Sequence, residues 1–387
     1  MTVLTIMMSA VGWILLLMAG IGAAYLAAAT FALDRFLRAA ETPVPGSEAV
    51  TILKPLYGRE PRLLENLASF VEQDHDGRIQ ILCGVQRPDD PAIETVRALQ
   101  ARFPEARIDL VVDGTRHGPN GKISNLVNMM GHAAHDTLVL SDSDMAVERD
   151  YLSRLLPALR HPETGAVTCL YRGRGDGGFW SRLAAAGSSY QFLPNLVFAK
   201  TRGMAAPCMG STIALRRETL DAIGGFARFA DVLADDHAMG QAIARLGLSV
   251  DVPPMVLTHA FTDARFREVW RHELRWAATV RGIAPAGYAG SFITVPFPLA
   301  LMALPFHPVP GLVAVVGTAL VRLCTKRVVD RHTDASSAPF WSLPLRDILS
   351  FAIFLASFFV RSVDWRGTAL NMVGQGRVTV SSEIART

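Results

Sequence analysis

The chain has 387 residues, half of them apolar, with a mean hydropathy of +0.26, 19% charged residues and a formal net charge of only +3. That is too apolar for an ordinary soluble enzyme and too polar for a bare membrane bundle, and so small a charge gives no reason to expect a nucleic-acid partner. Four cysteines (Cys83, Cys169, Cys208, Cys324) are scattered without CxxC spacing, which argues against a disulfide framework and a zinc site and fits a reducing compartment.

In chain order, residues 3–33 carry no charge and exceed the roughly 20 residues that span a bilayer. No basic n-region precedes them and the run is too long for a signal-peptide core, so residues 1–34 are expected to be an uncleaved anchor. Arg35 and Arg38 follow at once, and the positive-inside rule then puts the next domain on the cytoplasmic side.

Residues 45–286 alternate between strand and helix patterns. Strands are expected at 49–56, 78–85, 107–112 and 136–140, with helices at 61–73, 91–103 and 121–134 between them. Such alternation predicts a mostly parallel sheet covered on both faces, with its ligand beyond the carboxyl ends of the strands. Lys54, Tyr57, Asp89, Asp90, Asp113, Asp142 and Asp144 all fall at those ends. There is no GxGxxG and no GxxxxGK[ST], so neither a dinucleotide fold nor a P-loop is indicated.

The stretch "HDTLVLSDSDMAV" (135–147) runs a buried strand into two aspartates two residues apart. In an extended chain residues i and i+2 face the same way, so both carboxylates would aim at one spot and repel unless a cation sits between them. Asp142 and Asp144 are therefore expected to hold a cation.

The third part, residues 288–363, is again apolar. Its first run, about 290–323, is broken by "PFHPVPG" (305–311) and followed by Arg322, Lys326, Arg327 and Arg331; a cytoplasmic place for that cluster requires two crossings. The run 348–360, flanked by Arg346 and Arg361, fits either a span or an interfacial helix. Residues 364–387 form a polar tail.

Six motifs stand in order: "GVQRPDDPAIE" (84–94), "GPNGKISNL" (118–126), "LSDSD" (140–144), "GSTIALRRETLDAIGGF" (210–226), "LADDHAMGQAIARLG" (233–247) and "RHELRW" (271–276). Together they resemble the inverting, membrane-bound glycosyltransferases that include ceramide glucosyltransferase, and within them the bacterial hopanoid-biosynthesis glycosyltransferases. The resemblance covers about residues 45–290. It implies an α/β, GT-A-type nucleotide-sugar-binding domain flanked by transmembrane helices, multi-pass in a bacterial inner membrane with the catalytic domain in the cytoplasm.

The resemblance also implies roles. Asp89 or Asp90 would contact uridine, Asp142 and Asp144 would hold Mg²⁺ or Mn²⁺ on the diphosphate, and Asp236 would be the general base. Arg275 and Trp276 would close the site over diphosphate and acceptor, and Lys122, in a Gly/Asn loop before a helix, suits phosphate or uracil. The family's (Q/R)xxRW pattern departs here, because His272 stands three residues before Arg275. The implied partners are a UDP-sugar donor, with UDP-N-acetylglucosamine ahead of UDP-glucose, and a membrane lipid acceptor, with a hopanoid such as bacteriohopanetetrol ahead of ceramide.

Plainer readings stand beside these. Asp142 and Asp144 could end a strand in a turn, and Asp89 and Asp90 could cap the helix after Pro91. Asp235 is assigned to capping and Asp236 to catalysis. The basic-aromatic helix carrying Arg275 and Trp276 could anchor at the membrane interface. His259 and His272 read more readily as structural than catalytic, and Cys208 as a core thiol rather than acceptor-pocket lining. "WRG" (365–367) has no physical role that the sequence supplies. A processive polysaccharide synthase would need more spans and an intact (Q/R)xxRW. An inactive membrane scaffold fits poorly with Asp142, Asp144 and Asp236 all in place.

Overall fold

The structure, a computed structural model, describes residues 3–39, 43–44, 46–206 and 208–360, and the backbone of 362–365, 368–372 and 378–380. Arg361, the "WRG" stretch and the polar tail lie outside the residues whose side chains are described. The chain divides into two compact units, one made of residues 39–171, 206–262 and 368–387, the other of 1–38, 172–205 and 263–367.

The first unit is built on a seven-stranded sheet. Its strands are β1 (Val50–Pro55), β2 (Ile79–Val85), β3 (Arg107–Val112), β4 (Thr137–Ser141), β6 (Thr164–Thr168), β8 (Thr212–Arg216) and β9 (Ser249–Asp251), in the order β3-β2-β1-β4-β8-β6-β9. The short β5 (Met145–Ala146) pairs antiparallel with β10 (Val256–Phe261), and β7 (Leu170–Gly175) leads out of the unit. β1 pairs parallel with both β2 and β4, and β2 with β3. β8 runs antiparallel to its neighbours β4 and β6, and β9 is parallel to β6.

β1 is buried at all six positions, because side chains alternate between two covered faces. Val50 and Ile52 join Ile81, Leu67, Phe70 and Leu99 on one side. Leu53 joins Leu82, Ile123, Leu126 and Leu140 on the other. The four expected strands thus form within a residue or so of their predicted limits, while the antiparallel β8 lies beyond the alternation the sequence displayed.

The second unit is helical. Val3–Arg38 is one helix of 36 residues, about 54 Å long at 1.5 Å per residue and more than a bilayer's hydrocarbon needs. It packs on helices Pro296–Ala303 and Pro308–Thr333 through small residues. A Cβ on Gly22 would stand 2.9 Å from the Pro296 side chain, so glycine there permits the close approach. The proline-rich break falls after Ala303, as expected, and helix Pro308–Thr333 then runs straight through the basic cluster.

Among the described residues three helices are long and apolar enough to cross a membrane: Val3–Arg38, Pro308–Thr333 and Phe340–Ser357. A bent pair, Pro285–Thr294 with Pro296–Ala303 at 61°, would make a fourth. Two residues of the basic cluster do not present themselves to headgroups. Arg322 is buried in an ion pair with Asp347 at 2.9 Å, and Lys326 is paired with Asp330 one helical turn on.

Candidate active site

β4 ends at Ser141, and the chain turns at once: the Met145 N–H donates to the Asp142 carbonyl at 3.3 Å. Asp142 and Asp144 therefore occupy a tight turn and not the extended strand assumed from their spacing. What gathers them is the packing around that turn. Ser143 Oγ donates to Glu60 Oε1 at 2.8 Å, and Asp144 Oδ2 meets His259 Nε2 at 3.0 Å across the β5–β10 pairing.

Beneath the turn lies Lys54, fully buried near the end of β1. Its Nζ donates to Ser141 Oγ (3.1 Å) and to the Asp142 carbonyl (2.9 Å), and stands 3.3 Å over the Phe70 ring. Burial pulls this ammonium down to about 7, against the opposing pull of Asp142 and Asp144.

Lys122 extends from the start of helix Gly121–Met130, whose N-cap is Asn120 accepting from the Ile123 N–H at 3.1 Å. The Lys122 Nζ reaches Asp142 Oδ1 at 2.6 Å, the Gly210 carbonyl at 3.3 Å and Asp235 Oδ2 at 4.0 Å. Burial acts against its charge, but the three carboxylates of Asp142, Asp235 and Asp236 outweigh it and hold the ammonium protonated. Asp236 accepts the Gly210 N–H on Oδ2 (2.8 Å) and the His237 N–H on Oδ1 (2.7 Å). A Cβ on Gly210 would come within 3.1 Å of that carboxylate, so a side chain there would crowd the contact.

Asp235 is not the helix cap that the sequence suggested. Helix Asp235–Arg245 starts from Ala234 with no side-chain cap, and Asp235 is instead buried, 3.4 Å from Asn120 Nδ2. Burial raises its carboxyl to about 6, with Asp236 and Asp142 adding to the rise and Lys122 opposing it. Asp144 goes the other way. Burial would raise it, but His259, Lys54 and Lys122 together hold it at about 2.

Four carboxylates thus share a small volume with two ammonium groups. Asp144 Oδ1 is buried without a hydrogen-bond partner, a costly state for a carboxylate oxygen unless a cation is bound there. Among the described residues no three His, Cys, Asp or Glu side chains form a chelating group. Two carboxylates still fit Mg²⁺ or Mn²⁺, which complete their shells with phosphate oxygens and water.

The remaining expected residues lie elsewhere. Asp90 is buried and accepts the Ala92 N–H (2.9 Å) and the Gly58 N–H (2.9 Å), tying the loop after β1 to the start of helix Ala92–Arg102. Asp89 is exposed and ion-paired with Arg87. Arg275, Trp276 and His272 belong to the helical unit, on helix Phe266–Ile283. There His272 Nδ1 bonds Asp263 Oδ2 at 3.0 Å, and its ring meets Trp276 edge-on at 4.5 Å. Cys208 is buried beside Gly240, as a core thiol would be.

Sequence reasoning missed what Lys54, Asp235 and His259 do. Lys54 did leave a signal, as a lone lysine in an otherwise apolar strand. His259 left none, since only the β5–β10 register brings it to Asp144.

A mostly parallel sheet in this strand order, covered on both faces, is an α/β fold of the GT-A type. A mannosyltransferase from Pyrobaculum calidifontis, solved with GDP-Man and Mn²⁺, shares the fold: TM-score 0.51, 21% identity, over 91% of this chain and 98% of that one. Residues 13–378 match Glycosyl transferase family 21, and the chain belongs to that family. Among curated proteins it is similar to Ceramide glucosyltransferase 3 of Caenorhabditis elegans, 26% identical over 54% of this chain and 44% of that protein. It is also similar to an N-acetylglucosaminyltransferase of Rhizobium meliloti, 21% identical over 78% of this chain and 69% of that one. The chain thus spans under half the length of the Caenorhabditis protein.

Proposed function

We propose that this glycosyltransferase moves a sugar from a UDP-sugar, with inversion at the anomeric carbon, onto a hydroxyl of a membrane lipid. The observation that carries the reading is the gathering of Asp142 and Asp236 around Lys122 and Gly210, with Asp144 in the same turn as Asp142, within one unit.

Asp142 and Asp144 would hold Mg²⁺ or Mn²⁺, which neutralises the diphosphate and makes UDP a competent leaving group. Lys122 is placed to exchange its contact with Asp142 for a phosphate oxygen of the donor. Asp236 is the general base. Its two backbone N–H bonds fix the orientation of the carboxylate that takes the proton of the attacking hydroxyl. The acceptor oxygen bonds the anomeric carbon from the face opposite UDP, the carbon–UDP bond breaks, and the proton passes to Asp236. Asp89 serves the uridine.

N-acetylglucosamine on a hopanoid such as bacteriohopanetetrol is the pairing that the sequence motifs favour, and the Rhizobium relative's name agrees with that sugar. Glucose on ceramide is the second pairing, favoured by the name of the Caenorhabditis relative. The test is a transfer assay on detergent-purified protein that crosses both UDP-sugars with both lipids, with and without EDTA. A glycolipid that forms from one pair and disappears with EDTA establishes reaction, donor, acceptor and metal together. Folded, metal-supplied protein that turns over none of the four pairs removes these substrates.

A further inference from the structure

Five aromatic rings from three separate segments of the helical unit touch in series. Trp341 stacks on Phe179, with centroids 6.1 Å apart and planes within 9°. Phe179 meets Trp180 edge-on at 5.2 Å, Trp180 meets Phe266 at 5.1 Å, and Phe266 meets Trp270 at 5.7 Å. This ladder is not a core: Trp341 is 67% exposed, Phe266 44% and Phe179 43%. A row of large exposed rings is expensive in water and calls for an explanation.

Two observations identify what covers it. Trp341 sits in the turn Phe340–Ser342 that opens helix Leu343–Ser357, at the end of one of the three helices apolar enough to span a bilayer. The end of a span is where tryptophan concentrates, with its ring among the headgroups. The second observation is charge. Arg182, Arg265, Arg267 and Arg271 are exposed on the same segments, whereas the neighbouring acids are engaged. Asp263 is held by His272, Glu268 by the backbone at the start of its helix, and Glu273 by Arg346. Apolar rings with a net positive border, four arginines against Asp263 and Glu268, match an anionic headgroup layer.

We propose that the ladder Trp341–Phe179–Trp180–Phe266–Trp270 is a membrane-interface surface that seats among anionic lipid headgroups and lays the first turns of helix Phe266–Ile283 along the bilayer plane. The proposal rests on the reading that the helical unit spans a membrane. Its test therefore carries a control for that reading.

Two single-tryptophan proteins, one retaining Trp341 and one retaining Trp13, are made with the other five tryptophans changed to Phe, and reconstituted into vesicles containing phosphatidylglycerol. Lipids brominated near the headgroup or near the chain ends quench tryptophan at their own depth. Trp13 lies within the apolar helix Val3–Arg38 and is expected to respond to the deep bromines. Trp341 is expected to be quenched at least about twofold more by shallow than by deep bromines, as an interfacial ring should be. Trp13 unquenched by either lipid removes the membrane reading. With Trp13 quenched, the proposal fails if Trp341 emits as in water, is quenched mainly by the deep bromines, or is blue-shifted yet blind to both, as under a protein partner. Should the multiple replacement unfold the protein, Trp341→Phe alone gives the same contrast by difference.

Discussion

Both units bury charge, and they do so in opposite ways. In the helical unit Arg322 and Asp347 are each 4% exposed at their side chains and face one another, and Arg346 is gripped by Glu273. Each of these cations has its anion. In the sheet unit Asp142, Asp144, Asp235 and Asp236 crowd Lys54 and Lys122, and two carboxylate oxygens, Asp144 Oδ1 and Asp235 Oδ2, are buried without a hydrogen-bond partner. Balanced buried charge holds helices together, whereas buried charge left in deficit stores the cost until a ligand supplies the missing sign.

Asp142→Asn or Asp144→Asn gives the largest expected effect. Transfer should fall by about a thousandfold, the scale of losing a preorganised charge contact to a leaving group. The protein should still fold, with the melting temperature in detergent lowered more by Asp144→Asn, which gives up the contact with His259, than by Asp142→Asn. A variant that unfolds instead would make these carboxylates structural and erase the contrast. Asp236→Asn should cost roughly a hundredfold or more in rate, the scale of general-base catalysis, with UDP-sugar and metal binding nearly unchanged. Loss of donor binding in that variant would move Asp236 from base to donor ligand.

On the other side of the contrast, Arg322→Met should destabilise the protein by about 3–5 kcal/mol, because it strands the Asp347 carboxylate. The double variant Arg322→Met/Asp347→Leu should recover most of that loss, read as detergent melting temperature. Failure of the double variant to recover would mean that Arg322's bond to the Tyr190 carbonyl, in the π-helical turn Ser188–Phe192, carries the stability instead.

Lys54→Met should lower the transfer rate about tenfold by loosening the Asp142–Met145 turn. Stability should change little, since a desolvated ammonium is removed along with its bonds. Equal losses in rate and in folded fraction would make Lys54 a core residue only.

Asp235→Asn tests the smallest effect. The folded carboxyl titrates near 6, above its unfolded value near 3.8, so its stabilising contribution is complete below about pH 4 and fades as pH rises through 6. Between those pH values the wild type should lose about 2 kcal/mol that the variant does not lose. Parallel pH profiles would show that Lys122 already compensates Asp235 in full.

Much of the sheet unit was legible because its strands are short buried runs and its helices carry a 3.6-residue period, both local signals. The DxD pair was legible as chemistry, but its backbone was read as extended when it turns. A two-residue spacing looks the same in a strand and in a turn, and only the Met145–Asp142 hydrogen bond separates them. Asp90 shows the reverse: the motif suggested a uridine contact, and the fold gives its carboxylate two backbone donors.

By itself the sequence determined the apolar helices, the parallel half of the sheet and the presence of acids at strand ends, since each depends on neighbours a few residues away. Only the tertiary structure decided which charges meet. Lys122 and Asp235 are 113 positions apart, and His259 and Asp144 are 115 apart. A residue's charge is written in the chain, but whether that charge is neutralised, stranded or poised depends on partners that only folding brings within a few ångströms.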